Sequence, residues 1–119
     1  MNLQDFRTYC LNLKNATEDF PFDETTLCFR IGGKIFAITD IIDQPFRFNL
    51  KNTPEKIVEL REKYNNIIPG YHCNKKYWNT IIPDSIIPNE LIIELINDSY
   101  NLVFESLPKK MKIQISDLK

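Results

Sequence analysis

Apolar residues recur every three to four positions at the start of the chain, where Leu3, Phe6, Cys10 and Leu13 fall on one side of a helix. The spacing predicts a helix over 3–13, with Asn2 as its cap and Asp5 placed to complement the helix dipole. Cys10 lies on the apolar side and reads as a small buried residue. The period then drops to two. In "TTLCFRIGGKIFAITDI" the pair Gly32-Gly33 supplies the positive φ of a two-residue hairpin turn. That turn pairs Ile31 with Lys34, Arg30 with Ile35 and Phe29 with Phe36. The register sends Leu27, Phe29, Phe36 and Ile38 to a core face, and Thr26, Cys28, Arg30, Ile35, Ala37 and Thr39 to the other. In "PFRFNLK" the alternation is cleaner: Phe46, Phe48 and Leu50 point inward, and Arg47, Asn49 and Lys51 outward. A short edge strand is expected over 18–22.

Helical spacing returns at "TPEK", where Thr53 caps and Pro54 takes the first helical position. This second helix ends near Tyr64 and buries Ile57, Leu60 and Tyr64. A third, longer helix opens at Pro88 and ends before Pro108, with Leu91, Ile92, Leu95, Ile96, Ser99, Leu102, Val103 and Leu107 on one stripe. The final "KKMKIQISDLK" reads as a short basic tail over 109–119, or a last short strand. The pattern predicts an α+β fold: an antiparallel sheet with helices packed on one face and the other face open. Arg30, Arg47, Asn49 and Lys51 populate the open face.

Composition narrows the function. The chain has 119 residues, enough for one domain over 1–119, with its core over about 3–108. Its net charge of −1 argues against a polyanion binder that uses its whole surface, so contact with nucleic acid requires a local basic patch. The start of the chain lacks the pattern of a secretory leader, and no segment approaches the roughly 20 apolar residues of a membrane helix. Three widely spaced cysteines, Cys10, Cys28 and Cys73, then suggest reduced thiols and a cytoplasmic location.

The densest chemistry lies in "PGYHCNKKYWNTIIP", which begins at Pro69 and holds the only histidine and the only tryptophan. His72 and Cys73 are neighbours and project to opposite sides of an extended segment, so they do not form a nucleophile–base pair. A single histidine without Cys-x-x-Cys gives no zinc pattern, and Glu18, Asp19, Asp23 and Glu24 form no ligand loop. No phosphate-binding, dinucleotide or nucleophile-elbow motif is present. No catalysis, metal or cofactor is therefore expected. The stretch suits a second hairpin with Asn74 and Lys75 at its turn, Lys75 and Lys76 at its tip, and Tyr71, His72, Tyr77 and Trp78 on its arms. In the bland alternative Trp78 plugs the core and the lysines only solvate the tip.

Four segments, "FPFDETTLCFRIGGKIFAI", "LKNTPEKIVELREKY", "IIPGYHCNKKYWNTI" and "IPNELIIELINDSYNLVFESLPKK", in this order and spacing, resemble the MmcQ/YjbR family over about 6–110. The resemblance implies a CyaY/frataxin-like layout. It also implies DNA binding of the "double wing" kind, by analogy of fold, without catalytic residues to carry over. Cys73 stands where methionine is expected in similar proteins, which suggests a packed position. The frataxin-like layout raises iron binding as a competitor. The first helix carries only Asp5, which gives an acidic ridge little support.

Two functions are expected from these residues. In the leading one, a monomer contacts duplex DNA through Arg30, Arg47, Lys51, Lys75 and Lys76 on phosphates, with Asn49 and Asn74 adding hydrogen bonds. Five contacts predict a slope of roughly −4 to −5 in log K against log salt. In the other, Tyr71, His72, Trp78 and Asn79 form a site for a protein partner or small ligand.

Overall fold

The computed structural model describes residues 1–117. Ten elements follow in order: α1 (Leu3–Asn12), β1 (Thr17–Asp19), β2 (Thr26–Ile31), β3 (Lys34–Asp40), β4 (Phe48–Lys51), α2 (Pro54–Lys63), β5 (Ile67–Pro69), β6 (Trp78–Ile81), α3 (Asn89–Glu105) and α4 (Lys109–Ser116). The six strands form one antiparallel sheet in the order β1-β2-β3-β4-β6-β5, and the helices cover one face of it. This is the α+β arrangement that the hydrophobic pattern predicts. Both predicted caps form: Asn2 accepts from the Asp5 amide at 2.8 Å, and Thr53 accepts from the Lys56 amide at 3.3 Å.

The register of the first hairpin differs from expectation. Ile31 pairs with Lys34 and Arg30 with Ile35, but Phe29 then faces Ala37, because a bulge at Phe36 inserts one residue into β3. Every later residue of β3 changes side. Ala37 and Thr39 turn to the helical face, and Ile38 turns to the open face beside Asn49. The bulge places both Phe36 and Ala37 in the core, where Phe36 meets Tyr100 edge-on at 5.4 Å. Ser99 completes the ladder at this point. Its hydroxyl accepts from the Lys51 amide at 2.9 Å and donates to the Phe36 carbonyl at 2.5 Å, so one side chain of α3 joins β3 and β4 where direct pairing stops.

Residues 109–116 form α4, neither a tail nor a strand; residues 118 and 119 of the expected tail lie outside the described residues. α3 ends at Glu105 with Ser106 as its C-cap, and Pro108 stands at the N-cap position of α4, whose Met111 and Ile115, four residues apart, turn to the core. The edge strand occupies 17–19 rather than 18–22, and β4 begins at Phe48 rather than before Phe46. Among the described residues no helix is long and apolar enough to cross a membrane.

Candidate functional site

β6 pairs with both β4 and β5, so the hairpin β5–β6 extends the sheet beyond β4. The connection over 70–77 is a wide loop, not the two-residue turn expected at Asn74 and Lys75. It folds back over the open face and is pinned there. Asn49 Nδ2 donates to the Tyr71 carbonyl at 3.0 Å and to Cys73 Sγ at 3.4 Å. Thr80 Oγ1 donates to Asn49 Oδ1 at 2.5 Å and accepts from the Tyr71 amide at 3.0 Å. From α2, Arg61 reaches under the loop: its Nε donates to Asn79 Oδ1 at 2.6 Å, and its Nη2 donates to the carbonyls of Lys75 and Trp78. Asn74 closes the far end by accepting the Lys76 amide at 3.0 Å on Oδ1 and the Tyr77 and Trp78 amides on its carbonyl.

The pinned loop turns a flat sheet face into a groove of about 400 Å³. Ile38, Phe48, Asn49, Cys73 and Thr80 line it from the sheet and loop, Tyr71 and His72 from the loop, and Phe22, Asp23, Asp40, Asp43 and Arg47 from the segments that flank β2 to β4. Its size suits a side chain or small ligand. Tyr71 and His72 are exposed with their rings 4.0 Å apart, and His72 sits at φ 58°, a left-handed conformation that a side chain seldom adopts. Gly70 permits the loop to leave β5 closely over β6. A Cβ there would lie 2.8 Å from Trp78 Cβ and 2.8 Å from the Trp78 carbonyl oxygen. Gly70→Ala therefore destabilises the protein by about 1–3 kcal/mol, read as a lower thermal midpoint, because backbone has to move to admit the methyl group.

The two residue sets nominated from the sequence meet here in part. Arg47 and Asn49 from one set line the same groove as Tyr71 and His72 from the other. The remaining residues go elsewhere. Arg30 is held by Asp19 at 2.9 Å and by the Gly33 carbonyl at 2.9 Å. Lys51 and Lys76 place their ammonium groups 5.9 and 5.6 Å from the Tyr77 ring centroid, and Lys75 bends back to the Gly70 carbonyl at 3.3 Å. Trp78 is half-buried and shares the open-face register of Lys51 and Thr80, so it does not plug the core. Asn79 takes the inward position instead, 2% exposed, and cannot contact a surface partner. Asn49 spends its amide on the loop, so it is a latch rather than a free donor.

The charge at the groove also departs from expectation. Three carboxylates, Asp23, Asp40 and Asp43, stand against Arg47, which lies 3.9 Å from Asp43. Amide donors from Thr26 and then Thr25 hold the Asp23 carboxyl below the usual range, so it stays ionised. Burial pushes the Cys73 thiol up, with the Asn49 hydrogen bond opposing. Burial and the Asp19 charge push Cys28 up to about 11. Both thiols are thus protonated and weakly nucleophilic near neutrality. Among the described residues no group of three His, Cys, Asp or Glu is arranged to hold a metal ion. Sequence reading passed over Arg61, Thr80 and Asp40. Arg61 sits in an ordinary helical charge pattern, Thr80 meets Tyr71 only once the loop folds back on its own hairpin, and Asp40 reaches the groove through the pairing of β3 with β2.

A sequence description of the YjbR family matches residues 11–102. The uncharacterized protein YbdF of Escherichia coli O157:H7 is 42% identical over 92 residues, 76% of this chain and 75% of that protein. The uncharacterized protein YjbR of E. coli K12 is 24% identical over 112 residues, 94% of this chain and 95% of its own. Among solved structures, Deinococcus radiodurans protein DR2400, which carries a DUF419 domain, superposes with a TM-score of 0.91 at 39% identity, over 97% of this chain and 88% of that one. A Pseudomonas syringae protein superposes with a TM-score of 0.73 at 28% identity, over 87% of this chain and 99% of that one. With the family match spanning most of the chain and a relative 42% identical over three quarters of it, this chain belongs to the YjbR family.

Proposed function

We propose that the chain is a cytoplasmic binding module without catalytic activity, and that its ligand enters the groove on the open face of the sheet. One observation carries this reading: the exposed Tyr71–His72 pair, His72 being left-handed, is held over the groove through the Tyr71 backbone, whose carbonyl accepts from Asn49 of β4 and whose amide donates to Thr80 of β6. A left-handed histidine costs of order 1 kcal/mol and persists only where its surroundings enforce it, which is common at ligand sites. The thiols lining or underlying the groove are protonated, and Asp23 is committed to the turn before β2, which favours binding over chemistry.

A second reading, duplex DNA, is favoured by a separate feature, Lys51 and Lys76 over the Tyr77 ring with Lys75 on the same loop. Three phosphate contacts give a slope of about −3 in log K against log salt, less than the five-contact footprint expected from the sequence. Arg30 and Arg47 do not contribute in this reading, since each already has an acidic neighbour.

Amide shifts of the ¹⁵N-labelled chain separate the two. Small aromatic compounds of either charge are expected to shift Ile38, Asn49, Tyr71 and Thr80 together. His72→Ala should weaken that response about tenfold at an unchanged thermal midpoint. Duplex DNA that shifts only Lys51 and 75–77, with the salt slope above, would support the second reading. Silence of the groove toward every aromatic compound would remove the first.

A further inference from the structure

We infer that the groove takes an organic cation carried on a flat apolar body. The inference rests on the groove being the binding site and names the class of ligand it holds. The apolar half of the argument is the mouth. Phe22 and Tyr71, 69% and 68% exposed, both line the groove, and Ile38, turned outward by the β3 bulge, lines it too. Two aromatic rings left in water beside a cavity of this size offer an apolar body a place to shed its hydration. Their faces also attract a cation.

The charge half comes from the opposite end. Asp40 pairs across the hairpin with Thr26, and Asp23 accepts the Thr26 amide at 2.6 Å and the Thr26 hydroxyl at 3.0 Å, so two carboxylates flank one residue. Among the described residues the Asp40 carboxylate accepts only the Ile42 amide, at 3.1 Å, and has no cationic partner. Arg47, the arginine of the groove, stands by Asp43, and His72 lies at the aromatic end beside Tyr71. Asp23 is hydrogen-bonded within its turn, but among the described residues neither acid at Thr26 has a cationic partner, and a cation is the complement that the groove lacks. The same chemistry is presented by a free aromatic amine and by a peptide that begins with an aromatic residue.

Tryptamine, indole-3-propionate and the amide of the tripeptide Trp-Gly-Gly are titrated separately into the ¹⁵N-labelled full chain, with amide shifts read at Ile38, Asn49 and Tyr71. Tryptamine is expected to bind at least about tenfold more tightly than indole-3-propionate, and less tightly as salt rises. Asp40→Asn keeps the acceptor for the Ile42 amide and should weaken tryptamine about five- to tenfold, while Glu59→Gln on α2 leaves it unchanged. The tripeptide binding more tightly than tryptamine would assign the cation to a chain terminus, and the reverse to a free amine. Equal or tighter binding of the propionate, or an unaltered Asp40→Asn, overturns the cation inference and leaves the groove as a ligand site. No groove response to any of the three overturns both.

Discussion

Phe6→Ala is expected to lower the stability of the fold by about 3–5 kcal/mol, seen as a lower urea midpoint at an unchanged slope. Phe6 is fully buried, and its ring stacks on Phe48 at 4.3 Å and meets Phe29 and Phe46 edge-on at 5.7 and 5.8 Å. It is the chief apolar tie of α1 to the sheet, since Cys10 is the only other buried residue of that helix. Removing the ring leaves a cavity between a helix and two strands, which the surrounding aromatic rings can fill only in part. For a domain whose whole stability is about 5–15 kcal/mol, this brings the protein near the unfolded state. The effect reaches the groove, because Phe48 faces Phe6 while Asn49, the next residue, faces the loop. A loss below about 1 kcal/mol would mean that α1 does not dock on β2 and β4 as described.

Asn79→Leu carries the second large effect, about 2–3 kcal/mol, although it replaces a polar group by an apolar one at a buried position. Asn79 accepts from Arg61 Nε at 2.6 Å and donates to the Ile57 carbonyl at 3.2 Å. Leucine leaves the guanidinium without its acceptor and the carbonyl without its donor, and hydrogen bonds to charged groups are the stronger kind. Arg61 also holds the Lys75 and Trp78 carbonyls, so the loop over 70–77 loses order with it. Faster amide exchange confined to the loop, together with a lower urea midpoint, checks this. Arg61→Met should reproduce most of the loss, and a double-mutant cycle should show coupling of about 0.5–3 kcal/mol between the two sites. Additive losses would show that Asn79 and Arg61 act independently.

The starts and caps of α1 and α2 were legible because each rests on neighbours in sequence, whereas α4 was not. Asn2 and Thr53 are capping residues followed at helical spacing by apolar positions, and the structure places both caps as expected. The stripe on α3 was legible for the same reason, save that Tyr100 rather than Leu102 is buried, since its hydroxyl finds the Lys14 carbonyl at 2.6 Å. The bulge at Phe36 was not legible. A two-residue period continues equally well through "KIFAITD" with or without it, and the carbonyl that the bulge frees at Phe36 is met by the Ser99 hydroxyl, 63 residues away.

The candidate site divides along the same line. Local spacing by itself determined the α+β class, the helical face of the sheet and the nomination of Arg47, Asn49, Tyr71 and His72, because helix and strand periods and turn residues act over a few positions. Only the tertiary structure decided that these four share one groove, since β6 had to enter the sheet beside β4 before Asn49 could reach Tyr71. The sign of the groove was also a tertiary outcome. A strand pattern displays Arg30 and Arg47 as free cations, whereas folding brings Asp19 and Asp43 to them and leaves Asp23 and Asp40 facing the cavity. Charges act through space: Asp19 reaches Arg30 from the neighbouring strand, and Asp43 meets Arg47 across the bend between β3 and β4.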